Sequence, residues 1–258
     1  MVRAALAQLS SVPGDSEANA RRATALLAGH PSVDLAVFPE LFLVGYDLSR
    51  VEELALPADC EDLRIVAAAA AEARTAVVIG FAERVSPGRV ANSAALIGAD
   101  GVLVGVYRKT HLFGDERRVF VAGDDLLLVR LGETLVAPLV CFDLEFPAPA
   151  RRLVGGGAQL LVTISANMAP FYEDHLLLAR SRALENRVPH LYVNRVGEEG
   201  GFRFVGGSRS IGADGAVLSE LAHADEDVLV APVGSPGVDD ERLDYLRQDR
   251  PGLGLIEP

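Results

Sequence analysis

The chain has 258 residues, half of them hydrophobic, and its 24 Lys and Arg face 36 Asp and Glu for a formal net charge of −12. So acidic a surface disfavours nucleic acid and anionic membranes as partners. Two cysteines make no disulfide framework at this length, which suits a reducing cytosol. The first residues turn polar too early for a signal peptide, and no apolar run reaches the roughly 18 residues that a membrane helix needs.

Val2 to Leu9 alternates loosely and predicts a first strand. Asp15 or Ser16 then caps a helix through about Leu27, with Ala20, Ala23, Leu26 and Leu27 as its apolar face. A second strand, Asp34 to Phe38, ends in Pro39-Glu40-Leu41-Phe42. Glu40 leaves the end of an apolar strand, where open α/β sheets place ligands, although a lone Glu in a loop is an ordinary surface residue. Gly45-Tyr46-Asp47 reads as a turn. Asp59 caps a helix to about Arg74; Cys60 in its first turn has acidic neighbours that disfavour a thiolate, so it is given no chemistry.

Ala76 to Ala82 is a buried strand, and Ser93–Ile97 with Val102–Val106 forms a hairpin about Asp100-Gly101. The hairpin leads to Tyr107-Arg108-Lys109-Thr110-His111-Leu112-Phe113. Lys109 has apolar neighbours and is either a solvated charge or part of a walled site; His111 reads as structural. Gly114 to Arg118 is a mixed-charge loop of surface type. The run Thr134 to Val140 climbs to Cys141, a turn follows with Asp143 and Glu145, and Pro147 and Pro149 open a helix. Cys141 is either a small buried hydrophobe or a thiol at a strand-to-helix junction, where free N–H groups stabilise anions.

Gln159 to Ile164 is a strand ending in Ser165-Ala166-Asn167-Met168, and Glu173 to Asn186 is a helix with Leu176, Leu177, Ala179, Ala183 and Leu184 apolar. His190–Val193 and Asp227–Val233 are strands, Phe202–Ile211 pairs with Gly215–Leu218 about Asp214-Gly215, and Asp239–Arg250 is a polar helix stopped by Pro251-Gly252. Roughly ten strands alternate with four or five helices. The hairpins make the sheets mixed, and so much strand calls for two packed sheets with helices outside.

Glu40, Lys109 and Cys141 each end an apolar strand segment. A carboxylate that takes a thiol proton, beside an ammonium that steadies an oxyanion, is the equipment of acyl transfer through sulfur. FPELFLVGY at 38–46, YRKTHLF at 107–113, CFDLEFP at 141–147, ANM at 166–168, RALENR at 182–187 and NRVGEEGGFRFVGGS at 194–208 together resemble the nitrilase superfamily, the carbon–nitrogen hydrolases. The resemblance runs over essentially the whole chain and implies one domain, 1–258. It implies an α/β fold, a four-layer αββα sandwich, dimerised, with no metal or organic cofactor. Cys141 would be the nucleophile, Glu40 the general base, Lys109 the oxyanion stabiliser and Glu116 a second, positioning glutamate. The Phe142 N–H would be the second oxyanion donor, and Tyr46, Glu145, Asn167 and Met168 would line the substrate pocket. The reading is a cytosolic amidase for small aliphatic or amino-acid-like carboxamides, of the bacterial aliphatic amidase branch; nitrile or N-carbamoyl hydrolysis and transfer of the acyl group to an amine are the alternatives. In one departure, Ala148 stands where the family commonly has Glu, leaving Arg151 short of an ion-pair partner.

Overall fold

A computed structural model describes residues 2–237 and 243–249. The first half runs β1 (Arg3–Gln8), α1 (Ser16–Gly29), β2 (Leu35–Val37), α2 (Val51–Leu54), α3 (Glu61–Ala73), β3 (Ala76–Ser86), β4 (Arg89–Ile97), β5 (Leu103–Arg108) and α4 (Glu116–Val119). The second half runs β6 (Val129–Leu131), β7 (Thr134–Val140), a 3-10 turn (Cys141–Glu145), α5 (Pro147–Gly155), β8 (Leu160–Ser165), α6 (Tyr172–Asn186) and β9 (His190–Asn194). It closes with β10 (Val196–Glu199), β11 (Phe202–Val205), β12 (Arg209–Ile211), β13 (Val217–Glu220), β14 (Asp227–Pro232) and α7 (Tyr245–Gln248).

Among the described residues the strands form two six-stranded mixed sheets, β14-β1-β2-β3-β4-β5 and β13-β12-β9-β8-β7-β6, with β10–β11 as a separate ribbon. Each sheet has three parallel strands at its centre, β1-β2-β3 in one and β7-β8-β9 in the other, with antiparallel strands outside. The period-2 alternation of strand side chains sorts the core into layers. Leu6, Val37, Val78 and Leu96 meet Val140, Val162, Ile164 and Val193 between the sheets. On the far face of the first sheet Ala5, Val77 and Ile79 pack under Ala20, Leu27, Leu63 and Val66 of α1 and α3. Behind the second sheet Ala137, Leu139 and Leu161 pack under Ala150, Leu153 and Val154 of α5. The order is helix, sheet, sheet, helix. No described helix is long and apolar enough to cross a membrane.

Local signals explain most boundaries. Asp15 caps α1 by accepting from the Ala18 N–H at 2.9 Å, and Pro147 occupies the first turn of α5. Several expectations are corrected. The cap of α3 is Cys60, not Asp59, and Arg74 ends that helix in the left-handed region. Phe202–Ile211 is not one strand: β11 joins β10 across Gly200-Gly201, and β12 returns to pair with β9 and β13. The turn expected after Cys141 is present as the 3-10 turn that separates it from α5 at Pro147. The sequence assigns α6 an apolar face, yet Leu177 and Leu184 are exposed while His175, Arg182 and Asn186 are buried with Ala179 and Ala183. Of the helix expected over Asp239–Arg250, residues 239–242 and 250 lie outside the described residues, as does Pro251-Gly252; within them only Tyr245–Gln248 is helical.

Candidate active site

Four parallel or hairpin strands deliver the site. β2 and β5 of one sheet, and β7 and β8 of the other, each release a loop at their C-terminal ends. The β2 loop carries Glu40, which is fully buried. Leu41 beside it has φ 52°, and the loop lies directly on β3, where a Cβ on Gly80 would come within 2.7 Å of the Glu40 Cα. Glycine is required there for close approach. Glu40 Oε1 accepts from Lys109 Nζ at 2.7 Å and from Asn92 Nδ2 at 2.6 Å, and Oε2 accepts from the Ala166 N–H at 2.6 Å. That last bond ties a loop of the first sheet to the end of β8 in the second.

Lys109 follows β5 and is 1% exposed; its Nζ also reaches Glu116 Oε1 at 3.0 Å and Oε2 at 2.9 Å. Burial alone would lower its pKa, but the carboxylates of Glu116 and Glu40 outweigh that and hold it well above the ordinary lysine value. Glu116 overturns the surface reading of Gly114–Arg118: it is fully buried at the start of α4. It accepts from the Tyr46 hydroxyl at 2.8 Å and from the Phe113 N–H at 2.8 Å as well as from Lys109.

Cys141 closes β7 with φ 45°, a left-handed conformation that costs a non-glycine residue free energy and is characteristic of functional turns. Burial pushes its thiol pKa up strongly and the Glu40 charge adds to this, while Lys109 and a hydrogen bond with Ser165 pull the other way. The balance of these effects favours the thiol over the thiolate. Asp143, two residues on, is fully buried and gathers the neighbouring loops: it accepts from the Val140 N–H at 3.1 Å, the Tyr107 hydroxyl at 2.8 Å, the Thr110 hydroxyl at 2.8 Å and the His111 N–H at 2.9 Å. It thereby fixes the segment after Lys109 against the turn of Cys141. His111 is structural, its ring stacked on Phe146 at 3.9 Å.

Beside this cluster lies a narrow cavity walled by Cys141, Phe142, Glu145, Asn167 and Met168, with Phe113, Ala166, Phe171 and His175. The structure thus gathers four of the five residues named for substrate binding. Tyr46 is not among the wall residues; it is 3% exposed behind the cluster, with its hydroxyl engaged by Glu116 and its ring edge-on to Phe202 and Phe204. Sequence reasoning missed Asn92, Ser165 and His175, and read Asp143 only as part of a turn. The signal for Asp143 was present, an Asp locked between an apolar strand and a proline-opened helix; the others sit in apolar strands or on a helix with nothing local to mark them. The expectation at Arg151 concerned a missing partner, and its Nη1 is buried without a hydrogen-bond partner among the described residues.

Residues 3–240 match the family model "Carbon-nitrogen hydrolase". The chain is 37% identical over 258 residues to a Pseudomonas protegens protein described as "Hydrolase in pqqF 5'region", covering 98% of this chain and 90% of that one. It is 37% identical over 220 residues to an (R)-stereoselective amidase of a Pseudomonas species, covering 83% and 79%. Among solved structures, an amidase of the nitrilase superfamily from Nesterenkonia superposes with a TM-score of 0.85 at 28% identity, covering 96% of this chain and 95% of that one. Other structures of that amidase hold butyramide, or carry the acetamide moiety of fluoroacetamide on the active-site cysteine.

Proposed function

The chain belongs to the carbon–nitrogen hydrolase family, and from that membership we propose an amidase that cleaves small aliphatic or amino-acid-like carboxamides to a carboxylic acid and ammonia. The observation that carries the reading is the buried Glu40–Lys109–Glu116 cluster bonded to Ala166 in the wall of the Cys141 cavity.

The hydrogen bonds distribute the roles. Glu40 Oε1 already holds two donors, whereas Oε2 holds only the Ala166 N–H, so the open lone pair on Oε2 receives the thiol proton. With the thiol held protonated at rest, proton transfer accompanies attack of sulfur on the amide carbon. Lys109 directs two of its three N–H groups to Glu40 and Glu116. The third, with the Phe142 N–H, receives the oxyanion. The C–N bond then breaks as Glu40 returns its proton to nitrogen, and ammonia departs. Water enters, gives its proton to Glu40 and attacks the thioester; the acid leaves and sulfur recovers the proton.

The butyramide and acetamide complexes of the Nesterenkonia amidase support short acyl chains and the cysteine as the point of attachment. Residues 1–258 act as one domain, a homodimer in the cytoplasm; exposed Leu177 and Leu184 on α6 supply an apolar face for the dimer contact, and free Cys60 and Cys141 suit a reducing compartment.

The test is ammonia release from a panel of short amides without any added amine acceptor. Activity is expected from the native chain and a loss of at least 10⁴-fold in Cys141→Ala, with an acyl adduct on Cys141 seen by mass spectrometry after rapid quenching. Undiminished release by Cys141→Ala would remove the nucleophile from the scheme.

A further inference from the structure

One group in the cavity wall has no task in that scheme. Glu145 ends the 3-10 turn that Cys141 begins, and its side chain is 33% exposed at the cavity. Much of the wall around it is aromatic, with Asn167, His175 and Cys141 as its polar members: Phe113, Phe142 and Phe171 form an edge-to-face cluster with ring centroids 5.3 and 5.6 Å apart, and Met168 lines the same cavity. No Lys or Arg is among the described residues lining this cavity. Arg182 lies close, but its guanidinium is committed elsewhere, to the backbone carbonyls of Leu144 and Glu145 and to the carboxylate of Glu185. The side chain nearest the Glu145 carboxylate is His175, whose Nε2 lies 3.4 Å from Oε1. His175 is 2% exposed and is anchored through Nδ1, 3.1 Å from the Tyr192 hydroxyl, so it fixes the carboxylate in place.

We infer that Glu145, oriented by His175 and framed by Phe113, Phe142 and Phe171, is a subsite for a positively charged amino group, and that the preferred substrates are short amides carrying an ammonium. A carboxylate among aromatic faces is a cation-binding arrangement, since the anion supplies charge and the ring faces add cation–π attraction once water is displaced. It also repels substrates that end in a carboxylate. The spacing is set by the turn: four residues at 3-10 rise separate Cys141 from Glu145 by about 8 Å along the axis. With the carbonyl carbon at sulfur, an ammonium reaches the carboxylate through a spacer of only a few bonds.

The inference rests on the amidase reading, and two kinds of measurement separate them. Hydrolysis by the native enzyme is compared for β-alaninamide and butyramide, which match in size and differ by an ammonium in place of a methyl, with succinamate as the anionic probe. kcat/KM is expected to be at least tenfold higher for β-alaninamide than for butyramide and lowest for succinamate. In Glu145→Gln the ratio of β-alaninamide to butyramide is expected to fall at least tenfold, mainly through KM, and in Glu145→Lys to favour succinamate. His175→Gln is expected to lower the ratio in the same direction by a smaller factor. Equal rates for β-alaninamide and butyramide in the native enzyme, or an unchanged ratio in Glu145→Gln, would overturn the subsite. Titration of Cys141→Ala with the same three compounds reads the subsite without turnover. Tighter binding of β-alaninamide there, with no ammonia from any amide in the native enzyme, would retain the subsite and overturn the amidase reading.

Discussion

Gly80 shows how much of this site depends on a residue with no side chain. Any Cβ there meets the backbone of Pro39, Glu40 and Leu41, and backbone cannot rotate away as a flexible side chain can. Gly80→Ala is therefore expected to displace the Glu40 loop by a fraction of an ångström to an ångström, lowering kcat on a short amide by about 100-fold and stability by about 1–3 kcal/mol. Gly29→Ala, at the end of α1 where a Cβ meets open space, is the control that leaves activity unchanged and does not lower stability. Ammonia release and urea denaturation read the two effects. His190 illustrates a second single-residue effect. Burial lowers its pKa to about 4, and Arg182 adds to this against the hydrogen bond to the Ala179 carbonyl. The unfolded chain then binds the extra proton below about pH 6.5 while the folded chain does not until about pH 4. Stability from this residue is present above pH 6.5 and is lost as the pH falls towards 4, by about 3 kcal/mol in all. Denaturation midpoints between pH 7 and 4.5 check it: His190→Gln is expected to flatten that slope. Glu40, Lys109 and Cys141 stand out as candidates in the sequence only together, since each alone at the end of an apolar strand reads equally as a loop carboxylate, a solvated charge or a small buried hydrophobe. Asn92 does not stand out, since its bonds to Glu40 and Glu116 join positions that only the folded sheet brings together.

At the scale of elements, α5 starts with Pro147, carries no acidic residue in its first turn, and leaves Arg151 Nη1 unpaired. Ala148→Glu places a carboxylate near the positive end of the helix and three residues before Arg151. It is expected to stabilise the fold by about 0.5–1 kcal/mol, a rise of about 2 °C in Tm by calorimetry. The strands were read well because fully buried central strands are near-continuous apolar runs, as in Leu160–Ser165. The short elements α2 and β6 and the β10–β11 ribbon escaped because three or four residues hold too little periodicity, and their formation depends on neighbours distant in sequence. α6 misled for another reason. Its inward face mixes Ala179 and Ala183 with polar groups, Arg182 donating to the Leu144 and Glu145 carbonyls and Asn186 to the Arg182 carbonyl, while Leu177 and Leu184 form an outward stripe, so apolar character alone does not mark the buried side.

For the whole molecule, that outward stripe sets an expectation about assembly. Leu177, 65% exposed, would be buried twice in a symmetric dimer, so Leu177→Glu is expected to weaken self-association at least 100-fold in sedimentation equilibrium. A dissociation constant unchanged by that substitution would move the contact elsewhere. The layered architecture was legible from hairpin signals and strand count, whereas the pairing of the two ends of the chain was not, because nothing local in Asp227–Pro232 marks its neighbour. That pairing has a consequence for biosynthesis. β14 lies antiparallel to β1 along its full length, from Arg3 opposite Pro232 to Gln8 opposite Asp227. While a ribosome is still extending the chain, β1 has one flank without a hydrogen-bonding neighbour, and that flank stays adhesive until residues 227–232 have emerged, more than 200 residues after it was made.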